Sequence, residues 1–282
     1  MKITIATKNL LKQARSSFQK GKDLQAQGNL GESIRSYQEA VEIKPDYVQP
    51  LLRLGRIHVS QENWSEAAKC YRRVIALESG NYSAYVELAK VLLKQNKIYG
   101  AIAAFQEAIE LNPELPGKVY RQLGDLFLQE RDDLGHAIAA YGKASEVTSD
   151  WAPGFYLKYA NTLMEKKLVD EAIVNYKRAI QLKSDSDKYY LLLGNALVQK
   201  GDLDNAISCY NKVLELTPDS VAGHKKLGDI YQQKDQLDSA HRYYQKALEL
   251  KPDAAYIYRS LGDVFSKQGR HAEAEDCYNR SV

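Results

Sequence analysis

At 282 residues the chain sits near the upper size of a single packed core, so it is either two ordinary domains or an array that grows lengthwise. A composition of 44% hydrophobic and 27% charged residues excludes a disordered chain, and only 7 prolines and 17 glycines interrupt a mixture rich in helix formers. The net charge of +3, from 39 basic and 36 acidic residues, is nearly balanced and names no partner.

The opening stretch MKITIATKNLLK lacks the apolar core of a signal peptide. Nothing downstream approaches the roughly 20 apolar residues of a membrane span, so a cytoplasmic protein without a membrane partner is expected. A long helix is predicted from about Thr7, with residues 1–13 forming a helical extension or cap. Repeating units follow near 14–47, 48–81, 82–115, 117–152, 153–186, 187–220, 221–254 and 255–282. The middle of each predicted first helix carries a small residue: Gly21, Gly55, Ala89, Gly124, Ala160, Gly194, Gly228 and Gly262. Each predicted second helix carries another, Ser33, Ala67, Ala101, Ala137, Ala172, Ala206, Ala240 and Ala274. Four residues further on stands an aromatic: Tyr37, Tyr71, Phe105, Tyr141, Tyr176, Tyr210, Tyr244 and Tyr278. Small residues suit a close approach of two helices, and the ring fills the adjoining gap. Pro45, Pro113, Pro218 and Pro252 follow second helices, which a missing N–H and a rigid ring cannot continue.

Unit four is irregular, with one extra residue near Pro116, one in the inner turn QERDDLGH and one in the following TSDWAPG. The paired acids Asp132 and Asp133 in that inner turn are expected to be solvated turn residues. Val282 falls inside the second helix of unit eight, before any closing proline or capping helix. The chain is therefore expected to be a piece of a longer protein, with a truncated last unit whose uncovered apolar face is open to self-association.

Unit six carries the pattern most completely: Tyr190, Leu193, Gly194 and Leu197, the turn QKGDLDNA, then Ala206, Tyr210 and Pro218. In these residues and the 34-residue period the chain resembles the tetratricopeptide repeat (TPR) family over about residues 14–282. The resemblance implies an all-α fold, an α-solenoid whose stacked helix-turn-helix hairpins form a right-handed superhelix. It also implies a non-catalytic protein-binding scaffold, the first helices lining a concave groove that takes peptides or protein segments.

With positions counted from Ala14, Val48, Tyr82, Gly117, Pro153, Asp187, Val221 and Ala255, the resemblance assigns positions 2, 5, 6, 9, 12 and 13 to the groove. Those positions hold fourteen basic and five acidic side chains, +9 in total, which leaves −6 for the rest of the chain. Position 9 reads Lys22, Arg56, Lys90, Asp125, Asn161, Asn195, Asp229, Asp263, basic giving way to neutral or acidic. An acidic peptide or protein segment is the expected partner, contacted by Lys22, Arg53, Arg56, Lys90, Lys94, Arg121, Asn161 and Asn195. Apolar residues at positions 5 and 12, among them Leu52, Val59 and Leu93, supply anchor points. Two known kinds of TPR groove are missing: consecutive repeats do not supply the Lys/Asn clamp for a terminal carboxylate, and position 6 carries no asparagine ladder.

The residues offer little chemistry. The five histidines, His58, His136, His224, His241 and His271, share no metal-ligand spacing with a cysteine or carboxylate, and no phosphate-binding loop occurs, so no metal or cofactor is expected. Cys70, Cys209 and Cys277 occupy one position of three separated repeats, too far apart for disulfides. Most of the 20 tyrosines fall in packing positions, which argues against a single-stranded nucleic-acid partner. The competing expectation is that the array recruits substrate for a glycosyl-, sulfo- or methyltransferase domain outside this chain.

Overall fold

The computed structural model describes residues 5–129 and 133–281. Asp132, Val282 and part of the irregular inner turn of repeat four lie outside the described residues. Sixteen helices occur in chain order, and no strand appears among the described residues. They pair as eight hairpins: α1 (Ile5–Ala26) with α2 (Leu30–Ile43), α3 (Val48–Ser60) with α4 (Trp64–Leu77), α5 (Tyr82–Lys94) with α6 (Ile98–Leu111), and α7 (Gly117–Gln129) with α8 (Leu134–Val147). The remaining pairs are α9 (Pro153–Glu165) with α10 (Val169–Leu182), α11 (Asp187–Lys200) with α12 (Leu203–Leu216), α13 (Val221–Gln233) with α14 (Leu237–Leu250), and α15 (Ala255–Lys267) with α16 (His271–Asn279). The fold is an all-α solenoid of stacked hairpins. The chain divides into two compact units, Met1–Thr148 with α1–α8 and Ser149–Val282 with α9–α16. Within each unit the second helix of one hairpin packs on the first helix of the next. Ahead of Ala14, α1 continues without a break toward Ile5.

One contact holds each hairpin shut. Where the mid-helix small residue of the first helix is glycine rather than Ala89 or Ala160, it faces the aromatic ring of the second so closely that a methyl group at Gly55 would lie 2.8 Å from Tyr71 Cζ, and one at Gly228 would lie 2.6 Å from Tyr244 Cε1. Tyr37, Tyr71, Phe105, Tyr141, Tyr210 and Tyr244 are fully buried there. Burying a ring of that size stabilises by about 1.5–3 kcal/mol. In repeat one the neighbouring small residue is Ser33, whose buried hydroxyl donates to the Gly21 carbonyl at 2.7 Å. The polar departure is thereby satisfied inside the core.

Seven of the inner turns share one device. At Gly28, Glu62, Asn96, Lys167, Gly201, Asp235 and Gly269 the backbone is left-handed, with φ between 57° and 87°. The next residue's N–H reaches back to the carbonyl five residues earlier, as in Asp202 N to Leu197 O at 2.9 Å and Leu168 N to Leu163 O at 2.9 Å. This closure satisfies the last carbonyls of the first helix and reverses the chain within three residues. Two of the second helices start on a capping side chain, Asn29 accepting from Glu32 N and Asp202 from Asn205 N. Asn81 and Ser220 do the same at the start of α5 and α13.

Candidate functional site

Position 9 follows the mid-helix glycine or alanine, so its side chain emerges beside the rim of the buried ring. In five of the eight repeats it accepts the hydrogen bond of the ring's hydroxyl. Tyr141 donates to Asp125 Oδ1 at 2.6 Å, Tyr176 to Asn161 Oδ1 at 2.7 Å, Tyr210 to Asn195 Oδ1 at 2.8 Å, Tyr244 to Asp229 Oδ1 at 2.8 Å and Tyr278 to Asp263 Oδ1 at 2.9 Å. Burial raises these phenols, Tyr176 to about 12, and beside Asp125 or Asp229 the carboxylate raises them further, so each stays a donor at neutral pH.

Where position 9 is basic, the ring has found another arrangement. Beside Lys22, the Tyr37 hydroxyl turns to Gln25 Oε1 at 2.8 Å. Beside Lys90 the ring is Phe105 and carries no hydroxyl. Beside Arg56, the Tyr71 hydroxyl is buried and has no hydrogen-bond partner among the described residues. Burial pushes its pKa up strongly, the Glu87 carboxylate adds to the rise, and Arg56 opposes it. The run from basic to acidic along position 9 is thus partly a packing rule: the acids and amides of repeats four to eight serve their own tyrosines.

Six of the eight predicted contact residues, Lys22, Arg53, Arg56, Lys90, Lys94 and Arg121, belong to the first unit. Asn161 and Asn195 belong to the second, where their Oδ1 atoms are engaged as described. Lys22, Arg56, Lys94 and Arg121 are exposed, while Arg53 and Lys90 are half-buried. Lys90 pairs with Glu87 at 2.7 Å. A cavity of about 530 Å³ opens among α3, α4, α5 and α7, walled by Val59, Trp64, Val91 and Leu93 and rimmed by Glu87, Lys90, Lys94 and Gln122. The Lys94 ammonium stands 6.0 Å from the centre of the Trp64 ring. Lys90, Lys94 and the apolar Val59 and Leu93 are therefore brought together. Sequence reasoning missed Trp64, since it lies on a second helix, and missed the Tyr71 hydroxyl. The exchange of Tyr for Phe beside Lys90 was the one signal of the ring's dependence on position 9.

No cluster of three or more His, Cys, Asp or Glu suited to a metal ion occurs among the described residues. Among them, too, no helix is long and apolar enough to cross a membrane. The three cysteines are free, and burial pushes the Cys70 and Cys209 thiols up to about 11, which leaves little thiolate at neutral pH. His58 and His241 titrate below the ordinary imidazole value because burial disfavours their charged forms, and His224 is buried with Nε2 3.0 Å from the Pro218 carbonyl.

The pattern described as TPR repeat matches residues 21–61, 160–201, 194–235 and 228–269, and the Tetratricopeptide repeat pattern matches residues 52–116. The chain belongs to the tetratricopeptide repeat family. It is similar to Protein O-mannosyl-transferase TMTC1 of Homo sapiens, with 27% identity over 165 residues, 56% of this chain. The chain spans 18% of that protein's length. Among solved structures it is similar to YrrB, described as a TPR protein with an unusual peptide-binding site, at 21% identity and a TM-score of 0.55 over 68% of this chain and 97% of that one. It is similar to Naa15/Naa10 bound to HypK-THB at 13% identity and a TM-score of 0.70 over 90% of this chain and 39% of that one. A third likeness is to the C-terminal part of a TPR repeat-containing protein from Cytophaga hutchinsonii, at 16% identity and a TM-score of 0.55, over 86% and 99% of the two chains. At these identities the structures speak for the fold. A TPR array is a protein-interaction scaffold, and the fold is generally non-catalytic.

Proposed function

We propose that the face formed by the first helices of the first unit binds an acidic peptide or protein segment, with Lys22, Arg53, Arg56, Lys90, Lys94 and Arg121 supplying the charge. The observation that carries this reading is the imbalance on that face: eight basic side chains stand at the groove positions of repeats one to four against Glu87 and Asp125 alone. Both acids are already engaged, Glu87 with Lys90 and Asp125 with Tyr141. The cavity walled by Val59, Trp64 and Leu93 gives an apolar side chain of the same segment a place beside those charges. Charge complementarity of this kind speeds association and fixes direction. Fluorescence anisotropy with synthetic peptides rich in glutamate and leucine tests it. The native chain binds them in low salt, and the variant with Arg53, Arg56, Lys90 and Lys94 all changed to Glu loses them. Equal binding by the two proteins would refute the reading.

A second reading is favoured by the likeness to a protein named as an O-mannosyl-transferase, of which this chain matches 18%. On that reading the array recruits substrate for a transferase domain in the same polypeptide. The coding sequence on both sides of residues 1–282 decides it: a transferase domain in frame supports the reading, and its absence removes it.

A further inference from the structure

The Tyr71 hydroxyl is the exception to a rule kept by every other tyrosine hydroxyl in its position. Five of those tyrosines donate to a carboxylate or amide at position 9 of their own repeat, and Tyr37 donates to Gln25. In repeat two the ring is as deeply buried as Tyr37, Tyr141, Tyr210 and Tyr244, and Gly55 brings the first helix as close as the glycines of those repeats. Yet position 9 holds Arg56, which can only donate, and the hydroxyl is left without an acceptor among the described residues. A buried, unsatisfied hydroxyl is a standing penalty to the fold. Resting on the reading that this face takes an acidic segment, we infer that a carboxylate of the partner supplies the missing acceptor: one oxygen accepts from the Tyr71 hydroxyl while the other pairs with Arg56. The partner thereby fills the role that Asp125, Asp229 and Asp263 fill in their own repeats.

The surroundings favour that occupant. Arg56 is exposed and long, so it can turn outward and keep its charge on the same carboxylate. The carboxylate that raises the Tyr71 phenol, Glu87, is held by Lys90 at 2.7 Å. A hydrogen bond from a hydroxyl to a charged acceptor is about twice as strong as a neutral one, and the low dielectric around the ring strengthens it further. A glutamine brings no charge for Arg56, so nothing draws its carbonyl to the Tyr71 hydroxyl.

Two measurements test the assignment. In the ligand-free protein, Arg56→Asn places at position 9 the residue that already serves Tyr176 and Tyr210, so Tm rises; an unchanged or lower Tm overturns the claim that the hydroxyl lacks an acceptor. In peptide binding, Tyr71→Phe weakens a glutamate-rich peptide by about tenfold and leaves its glutamine counterpart unaffected. Phe105 occupies the same position in repeat three, so the variant folds, and its melting curve confirms that. If Tyr71→Phe binds the acidic peptide as tightly as the native chain while the four-fold charge reversal abolishes binding, the basic face stands and this assignment falls. If the charge reversal also leaves binding intact, both fall.

Discussion

At Gly194 the two helices of the sixth hairpin approach so closely that a methyl group would lie 2.5 Å from Tyr210 Cε1 and 2.9 Å from its Cζ. Gly194→Ala therefore forces the ring or the helix to move, at about 1–3 kcal/mol by the usual measure of overpacking. Repeat five shows that a ring can adapt, since Tyr176 keeps its bond to Asn161 beside Ala160. The expected result is a lower midpoint in urea unfolding without loss of helical circular dichroism, and an unchanged midpoint would mean that the contact is slack. This pairing of small residue and aromatic was legible in the sequence because it recurs with the repeat. The tie between the ring's hydroxyl and position 9 was not. Its partners lie on different helices, fifteen or sixteen residues apart, and a column of Asp, Asn, Lys and Arg looks like surface variation until the hydroxyl is seen to end there. Part of the charge gradient read along the groove therefore belongs to the core's hydrogen bonding.

At the scale of the hairpin, the inner turns impose a conformation that side chains do not advertise. Gly28, Gly201 and Gly269 suit the left-handed region, whereas Glu62, Asn96, Lys167 and Asp235 adopt it at a cost set by their Cβ atoms. Asparagine and aspartate bear that cost better than lysine or glutamate, because their short polar side chains tolerate the region. Lys167→Gly is accordingly expected to stabilise the second unit by up to about 1 kcal/mol, with Asn96→Gly gaining less, as thermal unfolding of the two variants would show. A lower Tm for Lys167→Gly would mean that contacts of the lysine outweigh its backbone strain. Nothing in the side chains of Glu62 or Lys167 marks such a turn, and only their register with Gly201 does. The second unit adds ties between successive hairpins: Lys200 reaches Asp170 and Lys234 reaches Asp204, both at 2.6 Å, and Gln268 donates to Asp238 at 3.0 Å. These are exposed contacts that salt screens, so they fix register more than they stabilise.

At the scale of the molecule, the division at Thr148 and Ser149 separates two surfaces as well as two stacks. In the first unit the groove positions carry eight basic and two acidic side chains, in the second six basic and three acidic. In the second, Lys225 is also held by Asp229 at 2.8 Å. Repeat arrays draw their stability from each hairpin and its nearest neighbours, so a four-hairpin piece is expected to fold by itself. Fragments 1–148 and 149–282 are each expected to retain helical circular dichroism and a cooperative melt. The glutamate-rich peptides should then follow the charge. Fragment 1–148 binds them with the affinity of the whole chain and loses them as ionic strength rises and the Debye length shortens to about 8 Å at physiological salt, while fragment 149–282 binds weakly or not at all. Equal binding by the two folded fragments would show that the shared hairpin shape, rather than the side chains of repeats one to four, selects the partner. Binding by the whole chain alone would remove Arg53, Arg56, Lys90 and Lys94 from their assigned role as a sufficient set.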